Sequence, residues 1–403
     1  MSGGSEITPY YSGRVIDALS GAPVGDAFVT LGDTVARTGE DGRFRIYGFG
    51  GTLRVRAYGY WRAEAPASAI GNDGAVALRP FRPKALYLSF YGIGDKRLRD
   101  SALDLIRDTE LNALVIDVKG DRGLVAFKSD TPLAAEVGAQ KVITIRDVNA
   151  LVRGLHARRI YLIARIVVFK DDPLATARPE LALKTAGGAL FKDRERLAWS
   201  DPFARVVWDY NIDIAVEAAR AGFDEIQFDY VRFPDAPGLA YSQPNTQTNR
   251  VAAITGFLLH ARRRLAPYNV FLAADFFGYV PWNRNDTFIG QQMEYLGAVL
   301  DYLSPMLYPS SFQFGIPGYL DPVAHPGEVV RNTLEQARRR TRKSPLRFRP
   351  WLQAFRDYAF GGKPFGGAEI RSQIDAAEAF GSDGWMLWNP NNTYRREGLK
   401  PRH

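Results

Sequence analysis

The sequence predicts an α/β protein in which a (β/α)8 TIM barrel follows a small all-β sandwich. Beyond residue 83, eight short apolar segments alternate with helix-like stretches, the pattern of a parallel sheet wrapped by helices. Before it, short alternating segments are broken by Gly and Asp clusters with no helical period, the pattern of a sandwich. At 403 residues the chain exceeds one ordinary domain, whereas a barrel alone absorbs about 250 residues or more. A composition of 46% hydrophobic and 24% charged residues supplies ample apolar surface for a core.

The first domain is expected over residues 8–82 and the second over 83–400. In the first, YYSGRVID, DAFVTLG, TVARTG, GRFRIYG, TLRVRAYG and AVALRPF read as strands, and Asp41-Gly42 reads as a hairpin turn. The pattern G-R-V-I-D-x-x-x-G-x-P-V-x-x-A-x-V, then T-G-E-D-G-R-F, runs from Gly13 through Pro23 and Ala27 to Phe44. It resembles the carboxypeptidase regulatory-like (transthyretin-like) domain, with Gly21 and Pro23 shaping a turn and Phe44 filling the core. That resemblance implies an accessory module without chemistry of its own, a natural seat for a protein partner.

In the second domain the strand segments are ALYLSFYG (85–92), ALVIDVKG (113–120), YLIARIVVF (161–169), EIQFDYVRF (225–233), VFLAADFFG (270–278), YLSPMLYP (302–309), FRPWLQAF (348–355) and GWMLWNP (384–390). Helix-like stretches occupy 98–109, 145–158, 205–221, 248–265, 328–341 and 367–380. Eight such units fit a closed barrel better than a doubly wound sheet, which carries fewer strands and an early phosphate-binding turn.

Barrel active sites lie at the carboxyl ends of the strands, so polar residues there are the candidates. Strand four ends in Gln227-Phe-Asp229-Tyr-Val-Arg232, and period two points Gln227 and Asp229 into the barrel with Asp229 nearer the mouth. Strand five places Asp275 at the matching position, beside the small residues Ala273 and Ala274. Neighbouring carboxylates suit glycoside hydrolysis, in which one acid stays protonated to release the leaving oxygen while the other attacks or activates water. Asp229 and Asp275 are therefore the expected catalytic pair. Asp117 and Lys119 of strand two share a face and are expected to pair with each other, near Arg165 of strand three. The expected substrate-binding set is Asp117, Lys119, Arg165, Gln227, Tyr230, Arg232, Tyr308, Trp351, Gln353, Trp388 and Asn389, because rings suit the apolar faces of sugars and polar groups their hydroxyls. Loops 170–198 and 235–247 are expected to form subsites.

The absence of cysteine excludes disulfides, thiolate metal sites and cysteine nucleophiles. The four histidines form no H-E-x-x-H or H-x-H pair, and no G-x-S-x-G elbow, P-loop or dinucleotide fingerprint occurs, so neither metal nor cofactor is expected. The net charge is +8, and the runs Arg262-Arg263-Arg264 and Arg338-Arg339-Arg340 read as solvated helix faces. Nucleic acid is not the favoured partner; an anionic polysaccharide would suit the charge. No apolar run approaches a membrane span. Met1-Ser-Gly-Gly-Ser-Glu lacks the apolar core of a secretion signal and reads as a trimmed or mature end.

The motifs V-I-D-V-K-G-D-R-G (115–123), A-R-I-V-V-F-K-D (164–171), F-D-E-I-Q-F-D-Y-V-R-F-P (223–234), S-P-M-L-Y-P-S (304–310) and R-P-W-L-Q-A-F (349–355) carry a further resemblance over nearly all of 83–395. The barrel resembles a glycoside-hydrolase-like TIM-barrel family long catalogued as a domain of unknown function. This implies a barrel acting on a polysaccharide or oligosaccharide in an extracytoplasmic setting, periplasmic or secreted. More distantly it is similar to amylase-like barrels, which keep a nucleophilic Asp on strand four and an acid on strand five, the positions of Asp229 and Asp275. Gln227 stands where those enzymes have Arg, Asp275 where they have Glu, and Ser311-Phe312 where relatives have a His and an aromatic. The second reading is a non-catalytic carbohydrate-binding or scaffolding protein of the cell envelope.

Overall fold

In a computed structural model, residues 9–70 and 72–402 are described; the Met1–Glu6 stretch, residue 8 at the expected domain start, and His403 lie outside them. Contacts divide the chain into a unit that ends at Arg82 and includes Arg263–Val270, and a second unit made of Pro83–Arg262 and Phe271 onward.

The first unit holds two sheets. In one, β1 (Tyr10–Asp17) lies between β4 (Arg43–Tyr47) and β7 (Asn72–Leu78); in the other the order is β3 (Thr34–Arg37), β2 (Phe28–Leu31), β5 (Thr52–Arg56), β6 (Ala63–Pro66). Alternation decides the facing: β4 buries Phe44 and Ile46 and exposes Arg43, Arg45 and Tyr47. The buried residues join Val15, Val76, Val29, Leu53 and Val55 in one core drawn from both sheets. The paired hairpin is not at Asp41-Gly42. It is the two-residue loop Gly32-Asp33 between β2 and β3, where Leu31 faces Thr34 and Gly32 adopts a φ of +55°. Asp41-Gly42 instead turns the chain from one sheet to the other. Strand β6, with sequence AEAP, lacks the β-branched and aromatic residues that mark strands and was not expected.

The second unit is a closed barrel of eight parallel strands in sequence order: Lys84–Leu88, Ala113–Lys119, Tyr161–Val167, Glu225–Asp229, Phe271–Phe277, Tyr302–Leu307, Trp351–Gln353 and Trp385–Trp388. Every residue of the second, third and fourth strands is buried, as parallel strands covered on both faces require. All eight expected segments supply a strand, but each strand stops short of its expected end. In the first, Ser89 accepts the Gly92 N–H and starts the helix Phe90–Gly94. The helices Arg205–Ala221 and Gly367–Phe380 end at Gly222 and Gly381, with φ of +109° and +87°, which returns the chain to strands four and eight. The arginine run 338–340 is not wholly solvated: Arg340 donates to the carbonyls of Val280 and Pro281 and pairs with Glu294 at 2.7 Å.

At the amino ends of the strands the barrel is closed by buried charge. Arg349 pairs with Glu225, donates to the Asp383 carbonyl at 2.8 Å and lies 3.8 Å from the Tyr302 ring centre. Tyr161 donates to Glu225 at 3.1 Å, and Tyr302 donates to Asp383. Burial pushes Glu225 up to about 7, against the pull of Arg349.

Candidate active site

The carboxyl ends of the strands carry a different arrangement. Strand four delivers Asp229, whose Oδ2 accepts Arg165 Nη2 at 2.6 Å and Nε at 3.0 Å. Arg165 is the register partner of Gln227 on the neighbouring strand. Arg165 also holds Asp117 at 2.7 Å and Asp121 at 2.9 Å. Burial opposes its charge, but the three carboxylates outweigh that and hold its proton well above the ordinary arginine range.

The next residue, Tyr230, has a φ of +48°, a conformation that costs a non-glycine residue about 1–2 kcal/mol. Its N–H donates to Asp229 Oδ1 at 2.6 Å, so the strained turn fixes the carboxylate it follows.

Asp275 ends up beside Asp229 because strands four and five pair Gln227 with Ala273 and Phe228 with Ala274. Both acids line one cavity of about 190 Å³, together with Arg165, Tyr230, Arg232, Phe277, Met306, Tyr308, Trp351 and Trp388. Asp275 is 1% exposed and forms part of its wall; Trp351 Nε1 donates to it at 2.8 Å. Burial first, then the negative charge of Asp229, push the Asp275 carboxyl well above the usual range, while Arg165 and the Trp351 hydrogen bond pull the other way. One acid is therefore half of an ion pair, while its neighbour holds its proton more tightly than an ordinary aspartate does.

A second cavity, of about 440 Å³, is lined by Tyr87, Tyr91, Asp117, Asp121, Arg122, Glu195 and Trp388 among others. Trp388 lines both cavities and stacks on Tyr87 at 4.0 Å, with Arg165 over both rings at 5.0 and 5.4 Å. Tyr87 donates to Asp117 at 2.8 Å, and burial pushes Asp117 up to about 6, although Arg165 pulls it down. Loop residues Glu195 and Leu197 close one side. Lys170 at the end of strand three anchors that loop through Glu195 at 2.7 Å and Asp193 at 3.1 Å.

Of the residues the sequence proposes, Asp229, Asp275, Arg165, Tyr230, Arg232, Tyr308, Trp351 and Trp388 meet at the smaller cavity, and Asp117 and Trp388 at the larger. Four others line neither. Lys119 does not pair with Asp117: the register slips so that Arg165 faces Asp117 while Ile166 faces Lys119, and the extra residue Val118 turns Lys119 to the other face. There it is fully buried and binds Asp171 at 2.7 Å. Gln227 lies inside the barrel and donates to Ser304 at 3.2 Å. Gln353 uses its amide on Ser310 and the Phe355 carbonyl, and Asn389 on the carbonyls of Ala354 and Thr393. Tyr87, which lines the larger cavity, is signalled in the sequence only as one apolar letter of strand one.

Among the described residues no cluster of three or more His, Cys, Asp or Glu could hold a metal ion. No helix among them is long and apolar enough to cross a membrane.

A closed eight-stranded parallel barrel with acids and aromatic rings at its mouth is the architecture of TIM-barrel glycoside hydrolases. Residues 85–394 match the family described as "Putative glycosyl hydrolase domain", and the chain belongs to it. A solved structure of a hypothetical protein from Ruminiclostridium thermocellum is 38% identical, over 47% of this chain and 96% of that one, with a TM-score of 0.41. The glycoside hydrolase domain of PgaB (BpsB) from Bordetella bronchiseptica shares the fold, with a TM-score of 0.56 at 16% identity over 78% of this chain and 95% of that one. Comparison with curated proteins gives no match.

Proposed function

We propose that the protein hydrolyses a glycosidic bond of a polysaccharide or oligosaccharide in the smaller cavity, with Asp275 as general acid and Asp229 as the carboxylate opposite the anomeric carbon. The observation that carries this is the division of labour between adjacent acids: Asp229 is ion-paired to Arg165, whereas Asp275 is buried, accepts a hydrogen bond from Trp351 and is pushed toward its protonated form. Asp275 gives its proton to the leaving oxygen as the glycosidic bond breaks, Asp229 stabilises the positive charge growing on the sugar ring, and a water adds to the anomeric carbon while its proton passes to the Asp275 carboxylate, which restores the acid. Trp388, half-buried and braced by the buried Tyr87 ring stacked on it, offers an apolar surface to a sugar, and the larger cavity beyond Trp388 would hold the adjoining residues of the chain. On this reading the N-terminal sandwich is an accessory module of the carboxypeptidase regulatory-like kind, and the setting is extracytoplasmic.

The test is a panel of polysaccharides assayed for reducing-end release by the wild type and by Asp229→Asn. Release by the wild type that is lost in a folded Asp229→Asn supports the reading. Undiminished release in the variant removes Asp229 from the mechanism, and glycan affinity without any release makes the barrel a binding protein.

A further inference from the structure

Arg232 is a cation in the smaller cavity on which Asp229, Asp235 and Asp193 act only from beyond ion-pair distance. Three buried arginines elsewhere in this unit are ion-paired: Arg165 with Asp117 and Asp229, Arg250 with Asp286 at 2.6 Å, and Arg349 with Glu225. Arg232 has no carboxylate within ion-pair distance among the described residues. Its one hydrogen bond among the described residues is from Nη1 to the Phe233 carbonyl at 3.0 Å. It is surrounded by π faces instead, those of Phe277, Trp199 and Tyr230 at 4.7, 4.9 and 5.1 Å from its guanidinium carbon. Burial among these rings lowers its hold on the proton, but a guanidinium stays charged at any physiological pH. A guanidinium carries five N–H donors, so most of them have no protein partner while the group lines the cavity beside Asp229 and Asp275. Partly buried donors on a fixed positive charge are suited to a bidentate anion, and the rings that hold the plane of Arg232 keep its fork oriented.

We propose that Arg232 receives an acidic substituent, a carboxylate or a sulfate, on the sugar bound in this cavity, so that the substrate class is an anionic polysaccharide. The inference rests on reading the cavity as a glycoside hydrolase centre, and its test separates the two. Binding is measured for matched pairs: uronic-acid oligosaccharides (galacturonate, glucuronate and mannuronate) against their carboxyl-reduced forms, and sulfated galactan oligosaccharides against their desulfated forms. The wild type is expected to bind the acidic member of at least one pair about tenfold or more tightly, and the pair that shows it identifies the acid. Arg232→Met is expected to lose that preference, and Arg232→Lys, which keeps the charge but not the fork, to retain part of it; melting curves establish that both are folded. No preference in any pair, or an unchanged preference in Arg232→Met, overturns the proposal. Reducing-end release on the same polymers reports the other reading: cleavage without acid preference leaves the hydrolase and removes the anion seat, and acid preference without cleavage does the reverse.

Discussion

Both ends of the barrel bury an arginine among acids, and the clusters differ in what they leave unspent. At the amino ends Arg349 is enclosed by Glu225, Asp383, Tyr161 and Tyr302. At the carboxyl ends Arg165 gathers Asp117, Asp121 and Asp229 against open space, next to an acid that no arginine touches, Asp275. The first cluster spends its ion pairs within the protein, although Glu225 Oε1 and Arg349 Nη2 make no hydrogen bond there. The second holds one carboxylate in an ion pair, one carboxyl pushed toward its neutral form and one cation with no carboxylate at ion-pair distance among the described residues, all facing a hole that a substrate can fill. Stability and chemistry are therefore expected to separate along the barrel axis.

The largest expected effect is on turnover: Asp229→Asn or Asp275→Asn should each lower kcat/KM by about 10²–10⁴-fold while shifting the melting temperature little, read by reducing-end release beside thermal melts. Arg349→Met should do the opposite. It strands Glu225 in the interior and should cost about 3–5 kcal/mol by urea unfolding, with the activity of the remaining folded protein preserved. A loss of activity without loss of stability in that variant would break the comparison.

A subtler difference lies in pH. Unfolded, Glu225 gives up its proton near the ordinary 4.5, whereas in the folded chain it holds the proton to about 7. Between those values the native state binds more protons, so this residue makes stability fall as pH rises through the window. Glu225→Gln should remove that part of the decline, seen as a smaller difference between urea midpoints measured at about pH 5 and about pH 7. Arg232→Met, by contrast, should erase the preference for acidic over neutral glycans, read by binding of the same matched pairs.

The barrel was legible because each strand is an unbroken apolar run bounded by turns, and Asp229 and Asp275 stood out as acids at the ends of such runs. The facing of Lys119 was not legible, because counting by two assumes no bulge and the extra residue at Val118 shows only in the pairing with strand three. Nor was the Arg165–Asp229 pair, since 64 positions separate the two residues and only the register between strands brings them together. Arg232 could be named as a polar residue near the mouth, but its lack of a counter-charge is a property of the surroundings. In the sandwich, AEAP carried too little β-preference to be read as an edge strand, and Asp41-Gly42 has hairpin chemistry while joining strands of different sheets.

The most direct test is a titration of the aspartate side-chain carboxyl carbons by NMR, in the wild type and in Asp275→Asn. The account predicts one resonance that stays in its protonated position through neutral pH and is missing from the variant. If every wild-type resonance instead moves to its ionised position in the ordinary aspartate range, Asp275 cannot be the acid and the assignment of the pair is wrong.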